Sequence, residues 1–556
     1  MSPVPVCAIQ YHPDAYRADR PRLKGRHSAG AGFLTGMFQH GRADQLVSVT
    51  RNDNHAAEFA AMARQRDPNN RPVKGVDSML RAGPLAECLM VAGPSFDEVA
   101  WERRAGSQRA YSLCGVTHTL SSDRIIASLS NYLLLPLQPW DALVCTSHVA
   151  RDVVMRTLEN YAEYLGRRSG MQIEAALKLP VIPLGVDGDR YAANDAARQM
   201  MRERIGAAAE DFVILFLGRF TFHAKAHPVP MYLAAEQAAR RMPGRKVHLV
   251  MAGQAPNDRI MAMYKEGAEQ FAKTASVHFV DGEDDELVGA SWQGADVFLS
   301  LSDNIQETFG LTPIEAMAAG LPAVVSDWDG YKDTIIDGET GFRVPTVTPA
   351  AGHGVDLAVR YQTGRDNYDR FIGRACMMTS CDLDAAADAL VRLAEDPELR
   401  ARMGEAGRAR ARTHYDWSVI IRSYEDLWLE LRDIRAKAPE VAPRQPNETA
   451  SPFYPDPFDV FAPHPSFVLG AETVVAVGGG KGEADFQTIL SHGFCTFSQE
   501  HMLPRKQVAA LLDRVSERGV VTVGEIEQWI DGRGLSALHR TLPWLAKFGL
   551  IKLSEQ

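Results

Sequence analysis

An α/β protein of two halves, each built on a parallel sheet covered on both faces, is what this chain predicts. Three observations carry that prediction. Short apolar runs ending in glycine recur from Phe212 onward, helical patterns separate them, and a looser version of the same alternation fills the N-terminal part. Strands alternating with helices need crossover connections, and crossovers make parallel sheets.

The clearest runs are FVILFLG, ending at Gly218, KVHLVMAG, ending at Gly253, and SVHFVDG, ending at Gly282; DVFLSLS and PAVVSDW follow. Each has strand length and is rich in Val, Leu, Ile or Phe. PMYLAAEQAARRM and DRIMAMYKEGAEQFAK lie between them as helices. Earlier in the chain, GAGFLTGMFQHG reads as a glycine-rich turn entering a helix. DALVCTS and LPVIPLG read as buried strands. The halves meet near PLGVDGDRY, which sets an N-terminal domain at 1–187 and a second at 188–437, closed by helices over 383–437. Ligands of such sheets bind outside the carboxyl ends of the strands, so the cleft between the halves is the expected site.

From Ala438 the composition changes. Eight prolines fall in the thirty residues from Ala438 to Phe467. That predicts a linker or strap over 438–500. Residues 501–556 show three helical patterns and a short final strand, a mainly helical, winged-helix-like module. It carries eight Lys or Arg against six Asp or Glu from His501 onward, so docking or dimerisation is favoured over DNA binding.

Composition narrows the function. Of 556 residues, 46% are hydrophobic and 23% charged, the balance of a folded globular protein. A net charge of −10 disfavours nucleic acid as a general partner. Seven scattered cysteines with no Cys-x-x-Cys spacing fit a reducing cytoplasm and no disulfide framework. No signal-peptide pattern or bilayer-length apolar run appears, so the expected location is cytoplasmic, with a peripheral membrane contact left open. No His/Glu spacing suggests a protein-held metal. VGGGKGE lacks the glycine spacing and the Ser or Thr of a P-loop and reads as a turn.

The densest chemistry lies in NIQETFGLTPIEAMAAGLPAVVSDWDG. Glu307 and Glu315 stand eight positions apart, with Phe309, Gly310 and Leu311 between. Thr312 suits a helix N-cap and Pro313 the first helical position. That would put Glu315 in a capping box, and Gly320 would end the helix. Glu315 thus reads equally well as a cap and as a ligand-binding carboxylate. The helix start with Gly310 before it offers amides to an anion. Arg219 and Lys225 follow the first strong strand, at the same sheet edge; they read either as solvated loop charges or as cations for a leaving diphosphate. Arg17, Arg20, Arg22, Lys24 and Arg26 form a basic run that reads first as a solvated loop, second as a site for an acidic acceptor or lipid phosphate.

Over residues 1–437 the chain resembles the retaining GT-B glycosyltransferases of family 4. The resemblance is carried by Glu-x7-Glu in ETFGLTPIE, by EAMAAGLPAVVS, DGETGF, GRF…AK, VMAGQ, VHFVDG and ADVFLSLS, and more loosely by LPVIPLGVD, GVTHTL and SAGAGF. It implies two facing Rossmann-like domains and transfer of a sugar from a nucleotide-diphosphate sugar, the donor substrate, with retention and no cofactor. It further implies that Glu315 binds the ribose and Glu307 the donor sugar. Amides from Phe309 to Leu311, with Arg219 and Lys225, would hold the phosphates. His118 would face the sugar or acceptor, and Gly30 and Gly32 would let a first-domain loop approach the phosphates. The last three also have packing readings. The acceptor, whether glycan, lipid-linked or protein, stays open, as does homo-oligomerisation through the C-terminal module. The sequence departs from the family at Asp329, Tyr331 and Asp333 in WDGYKD and at an insertion over 350–378. The alternatives are an epimerase-like enzyme of the same architecture and a nucleotide-sugar-sensing, DNA-binding regulator.

Overall fold

The computed structural model describes residues 4, 6–17, 25–82, 85–479 and 483–555. Two units separate, 1–451 and 452–556.

The first unit holds both expected sheets. In the N-terminal domain these are β1 (Cys7–Gln10), β2 (Leu46–Val49), β3 (Val73–Val76), β4 (Cys88–Met90), β5 (Ser112–Val116) and β6 (Ala142–Val144), in the order β3-β2-β1-β4-β5-β6 and all parallel. The second domain contains β7 (Phe212–Leu217), β8 (Val247–Gly253), β9 (Ser276–Asp281), β10 (Val297–Ser300), β11 (Ala323–Ser326) and β12 (Gly341–Val344). Their order is β12-β11-β10-β7-β8-β9, again all parallel. Strand order reverses between β7 and β10, so the loops leaving these two strands diverge and open a crevice. Helices such as Pro228–Arg241 and Leu383–Glu395 bury Ala and Leu faces on one side of this sheet, around Ile214, Leu249 and Leu299.

Two expectations need correction here. LPVIPLG is not a strand of the sheet: isolated bridges alone tie this stretch to β6 and the residue after it, Cys145 with Val181 and, one residue before the run, Ala142 with Lys178. Pro180 and Pro183 have no N–H to give, which stops a continuous ladder. Gly30 and Gly32 lie inside the helix Gly25–His40, not in a turn before it. Of the basic run, Arg20, Arg22 and Lys24 lie outside the described residues, as does the middle of VGGGKGE.

The closing helix Trp417–Lys437 crosses back to the first domain. Its Trp417, Ile421, Tyr424, Trp428 and Leu431 complete the core around Phe33, Leu34, Met37 and Phe38. Arg42 clasps Glu425 of this helix, the backbone amide at 2.6 Å and Nε at 2.5 Å. Residues 438–451 continue as a strap on the same domain. Arg104 donates to the carbonyls of Thr449 and Ala450 at 3.2 and 2.9 Å, and Val441 N donates to Gln138 at 2.9 Å.

The insertion is a helical hairpin, Val355–Gln362 and Tyr368–Cys376. It rises from a two-residue antiparallel ladder of β13 (Thr346–Val347) and β14 (Ser380–Cys381). Asp366 at its bend receives Arg360 at 2.7 Å and Arg374 at 2.9 Å.

The second unit has its own core of Val475, Phe486, Leu511, Val515, Leu538, Leu542 and Ile551. Its antiparallel sheet places β15 (Val474–Val477) between β16 (Val520–Thr522) and β17 (Ile551–Ser554). The β15 segment falls within the stretch expected as linker; the Val-Val-Ala-Val run has the β-branched composition of a central strand. Thr522 and Glu525 form a capping box before the helix Val523–Glu527.

Candidate active site at the β7–β10 crevice

The loops leaving β7 and β10 are stitched together. The Lys225 carbonyl accepts hydrogen bonds from Asn304 Nδ2 and, at 3.2 Å, from Ser302 Oγ. Gln306 Nε2 donates to the Ala224 carbonyl at 2.9 Å. Asn304 Oδ1 accepts from the amides of Gln306 and Glu307 at 2.9 and 3.2 Å, which sets the turn that carries Glu307. Trp328 closes the back of this turn by donating to the Asn304 carbonyl at 2.8 Å.

On this frame Lys225 Nζ lies 2.6 Å from Glu307 Oε2. Burial alone would discharge both groups. Their mutual attraction outweighs it, raising the Lys225 ammonium and holding the Glu307 carboxyl below its usual range. Arg219, half-buried in the same loop as Lys225, makes no side-chain hydrogen bond or ion pair among the described residues, and its charge acts on both. The crevice thus keeps one cation paired to a carboxylate and one unpaired.

After Glu307 the chain turns at Gly310, whose φ is 84°. A Cβ there would meet the Tyr331 ring at 2.1 Å, so both the backbone and the space demand glycine. The helix Leu311–Ala319 follows with Gly310 as its N-cap and no side-chain cap bond. This overturns the capping-box reading: the helix starts one residue before Thr312. Thr312 is then the second helical residue, its hydroxyl buried without a partner, and Glu315 moves into the second turn. Glu315 instead lies near Tyr191 and Arg190. Burial raises its carboxyl, and these two partners oppose the rise. Among the described residues the amides of Phe309, Gly310 and Leu311 donate to no protein acceptor, and the helix dipole points out behind them. The Phe309 side chain is core, packed at 6.2 Å from Tyr415, so only its backbone is available to a ligand. Gly320, at φ 76°, ends the helix as expected.

The first domain meets this site through hydrogen bonds. Ser147 Oγ donates to the Thr308 carbonyl at 2.7 Å, and the His148 amide donates to Asp333 Oδ2 at 2.6 Å. His118, in the loop leaving β5, is half-buried with Nε2 3.1 Å from the Ala92 carbonyl. It lines a mostly apolar hollow with Tyr16, Gly30, Phe33, Leu184 and Trp417. Gly30 and Gly32 are packing positions: a Cβ would sit 1.9 Å from the Ala15 carbonyl oxygen at the first and 2.6 Å from the Trp417 indole at the second.

Sequence reasoning missed the nearness of Tyr191 to Glu315 and three hydrogen bonds of the hairpin. The first had no signal beyond the place of Tyr191 close to the domain boundary. Tyr368 of the hairpin touches Ser121 at 2.8 Å and Gln306 at 3.2 Å, and Tyr361 donates to Asp123 at 2.8 Å, so the insertion bridges the cleft. Among the described residues no group of three or more His, Cys, Asp or Glu is placed to hold a metal ion. No described helix is long and apolar enough to cross a membrane.

Two facing parallel α/β domains with the polar site at the edge of the second make this a GT-B protein. Solved structures share that fold: Anabaena Alr3699/HepE in complex with UDP, with a TM-score of 0.50 and 14% identity, matches over 77% of this chain and 100% of its own. A glycosyltransferase from Rickettsia africae ESF-5 has the same TM-score of 0.50 and 14% identity, over 78% and 99%. The glycosyl transferases group 1 family model matches residues 197–356, a span that holds Arg219, Lys225, Glu307 and Glu315. The chain is similar to a phosphatidyl-myo-inositol mannosyltransferase of Mycobacterium tuberculosis (strain CDC 1551 / Oshkosh), 32% identical over 250 residues, 44% of this chain and 53% of the relative. It is also similar to a D-inositol 3-phosphate glycosyltransferase of Corynebacterium glutamicum (strain R), 26% identical over 254 residues, 45% and 51% of the two. The chain spans about half the length of these relatives.

Proposed function

We propose that this protein is a retaining glycosyltransferase that moves a hexosyl group from a nucleoside-diphosphate sugar to a hydroxylated acceptor. One observation carries the reading. Arg219, Lys225, Glu307, the unpaired amides of 309–311 and Glu315 converge on one sheet edge, at the point where strand order reverses. In this reading the amides and both cations take the diphosphate, and Lys225 exchanges part of its hold on Glu307 for phosphate oxygen. Glu307 then accepts from a sugar hydroxyl, and Glu315 accepts from the ribose. His118 faces the acceptor side.

The reaction breaks the bond from the anomeric carbon to the diphosphate oxygen and forms one from that carbon to the acceptor oxygen. The acceptor proton passes to the leaving diphosphate oxygen on the same face. No covalent nucleophile is needed: the residues stabilise charge where it develops, and they are held in place before reaction. The free thiols fit a cytoplasmic enzyme. The second unit we take as a winged-helix-like docking or assembly module.

The test is a melting-temperature panel of UDP, GDP, ADP and their hexose conjugates on wild type, Glu315→Gln and Glu315→Ala. Saturation at one hundred times Kd stabilises by about 2.7 kcal/mol, enough to rank donors. Glutamine keeps the shape but loses the charge, and charge-assisted bonds are about twice as strong as neutral ones. Both variants should therefore fold and bind the preferred diphosphate clearly more weakly. Full affinity in Glu315→Gln would remove Glu315 from the donor site.

A further inference from the structure

Asp329 is an expensive residue with no visible structural return. Its φ is 38°, in the left-handed region where a side chain is strained and glycine is not. It is only 8% exposed, and neither carboxylate oxygen has a hydrogen-bond partner. The amides of its own turn act on it from outside hydrogen-bond geometry, and Tyr331 N donates instead to the Trp328 carbonyl at 3.1 Å. Buried polar groups are normally satisfied, and strain of this kind gathers where a ligand is handled.

Its position says which ligand. The turn carrying Asp329 is pressed onto the donor loop: a Cβ on Gly330 would meet Phe309 Cα at 2.4 Å and the Thr308 carbonyl oxygen at 2.8 Å. Its neighbours in WDGYKD are already engaged. Tyr331 packs on Gly310 and its hydroxyl lies 3.0 Å from Ser300 Oγ; Asp333 holds His148 of the first domain. Among the buried side chains of this segment, Asp329 alone has its polar atoms uncommitted. Burial first, and then the Glu307 carboxylate, push its carboxyl well above the usual range, with Lys225 opposing. A carboxyl that keeps its proton can both donate and accept, which suits a hydroxyl and limits repulsion with the Glu307 carboxylate.

We infer that Asp329 recognises a ring hydroxyl of the transferred sugar, beside the hydroxyl taken by Glu307, and so decides which hexose the site accepts. The inference rests on the donor-site reading above, and the experiment separates the two. The full chain is titrated with UDP, GDP and ADP to find the base, and then with the glucose, galactose and mannose conjugates of that diphosphate. Wild type, Asp329→Gly and Asp329→Asn are compared. Asp329→Gly relieves both the strain and the orphan carboxyl, so it should melt higher than wild type. It should bind the bare diphosphate within about twofold of wild type. It should lose about tenfold on the preferred sugar conjugate, with a flattened preference among the epimers. Asp329→Asn, which still donates and accepts, should keep part of that preference. If Asp329→Gly melts lower and retains the wild-type sugar preference, Asp329 is structural and the inference fails while the donor site stands. If wild type binds no nucleoside diphosphate, the donor-site reading falls and this inference with it.

Discussion

The two α/β domains finish their strands in opposite ways. At the β7–β10 edge of the second, the chain places Lys225 against Glu307, Arg219 close by, and Glu315 near Tyr191. At the corresponding edge of the first, it places Tyr16, Phe33, Leu184 and Trp417 around His118, with glycines cut to fit the indole and the backbone. One domain is arranged to hold charge, the other to be packed by a helix that comes from far along the chain. Similar sheets therefore need not share a chemistry; the loops after the strands decide it.

That contrast breaks first at Lys225. Lys225→Ala should lower turnover by about 10²–10³, as lost oxyanion donors do. It also leaves Glu307 without the cation that keeps its carboxyl low, so that carboxyl should rise. Steady-state rates and diphosphate affinity check this; wild-type rates would place the phosphates elsewhere.

The first domain should answer a substitution with stability instead. Gly32→Ala forces a methyl group into the Trp417 indole and should cost about 1–3 kcal/mol, as overpacked cores do. Diphosphate affinity of the folded fraction should stay as it was. Denaturant unfolding read beside a nucleotide titration decides it. Lost affinity at unchanged stability would return Gly32 to the phosphate site.

The smallest effect should come from the second unit. A chain ending at Ser451 keeps the strap and the whole crevice, so diphosphate affinity should match that of the full chain. Calorimetric titration of both chains is the check, and a folded but non-binding truncation would mean that the second unit completes the site.

These contrasts also explain what the sequence could show. The strands of the second domain were legible because β-branched runs ending in glycine stand between amphipathic helices. That Lys225 and Glu307 share one sheet edge was legible because both lie in loops that leave strand ends. LPVIPLG misled because its prolines leave strand composition intact while removing ladder donors. Thr312 misled because a Thr-Pro pair with Glu three residues after the threonine satisfies every local rule for a cap. The left-handed Gly310 held by Tyr331 moves the helix start nonetheless, a tertiary contact no window of sequence contains. Gly30 and Gly32 look like a loop motif until Trp417, nearly four hundred positions later, is brought beside them. The Tyr368 bridge to Ser121 is likewise invisible until the insertion folds.

The helix Trp417–Lys437 has a consequence for the order of assembly. Phe33, Leu34, Met37 and Phe38 await Tyr424, Trp428 and Leu431 as partners in their core. On the ribosome the N-terminal domain therefore emerges before the second α/β domain yet is completed only after it. Through the synthesis of the entire second domain it carries an open apolar face, the kind of surface that invites aggregation or a chaperone. Contacts so distant in sequence close slowly. The domain with the quieter chemistry thus sets the pace at which a functional molecule appears.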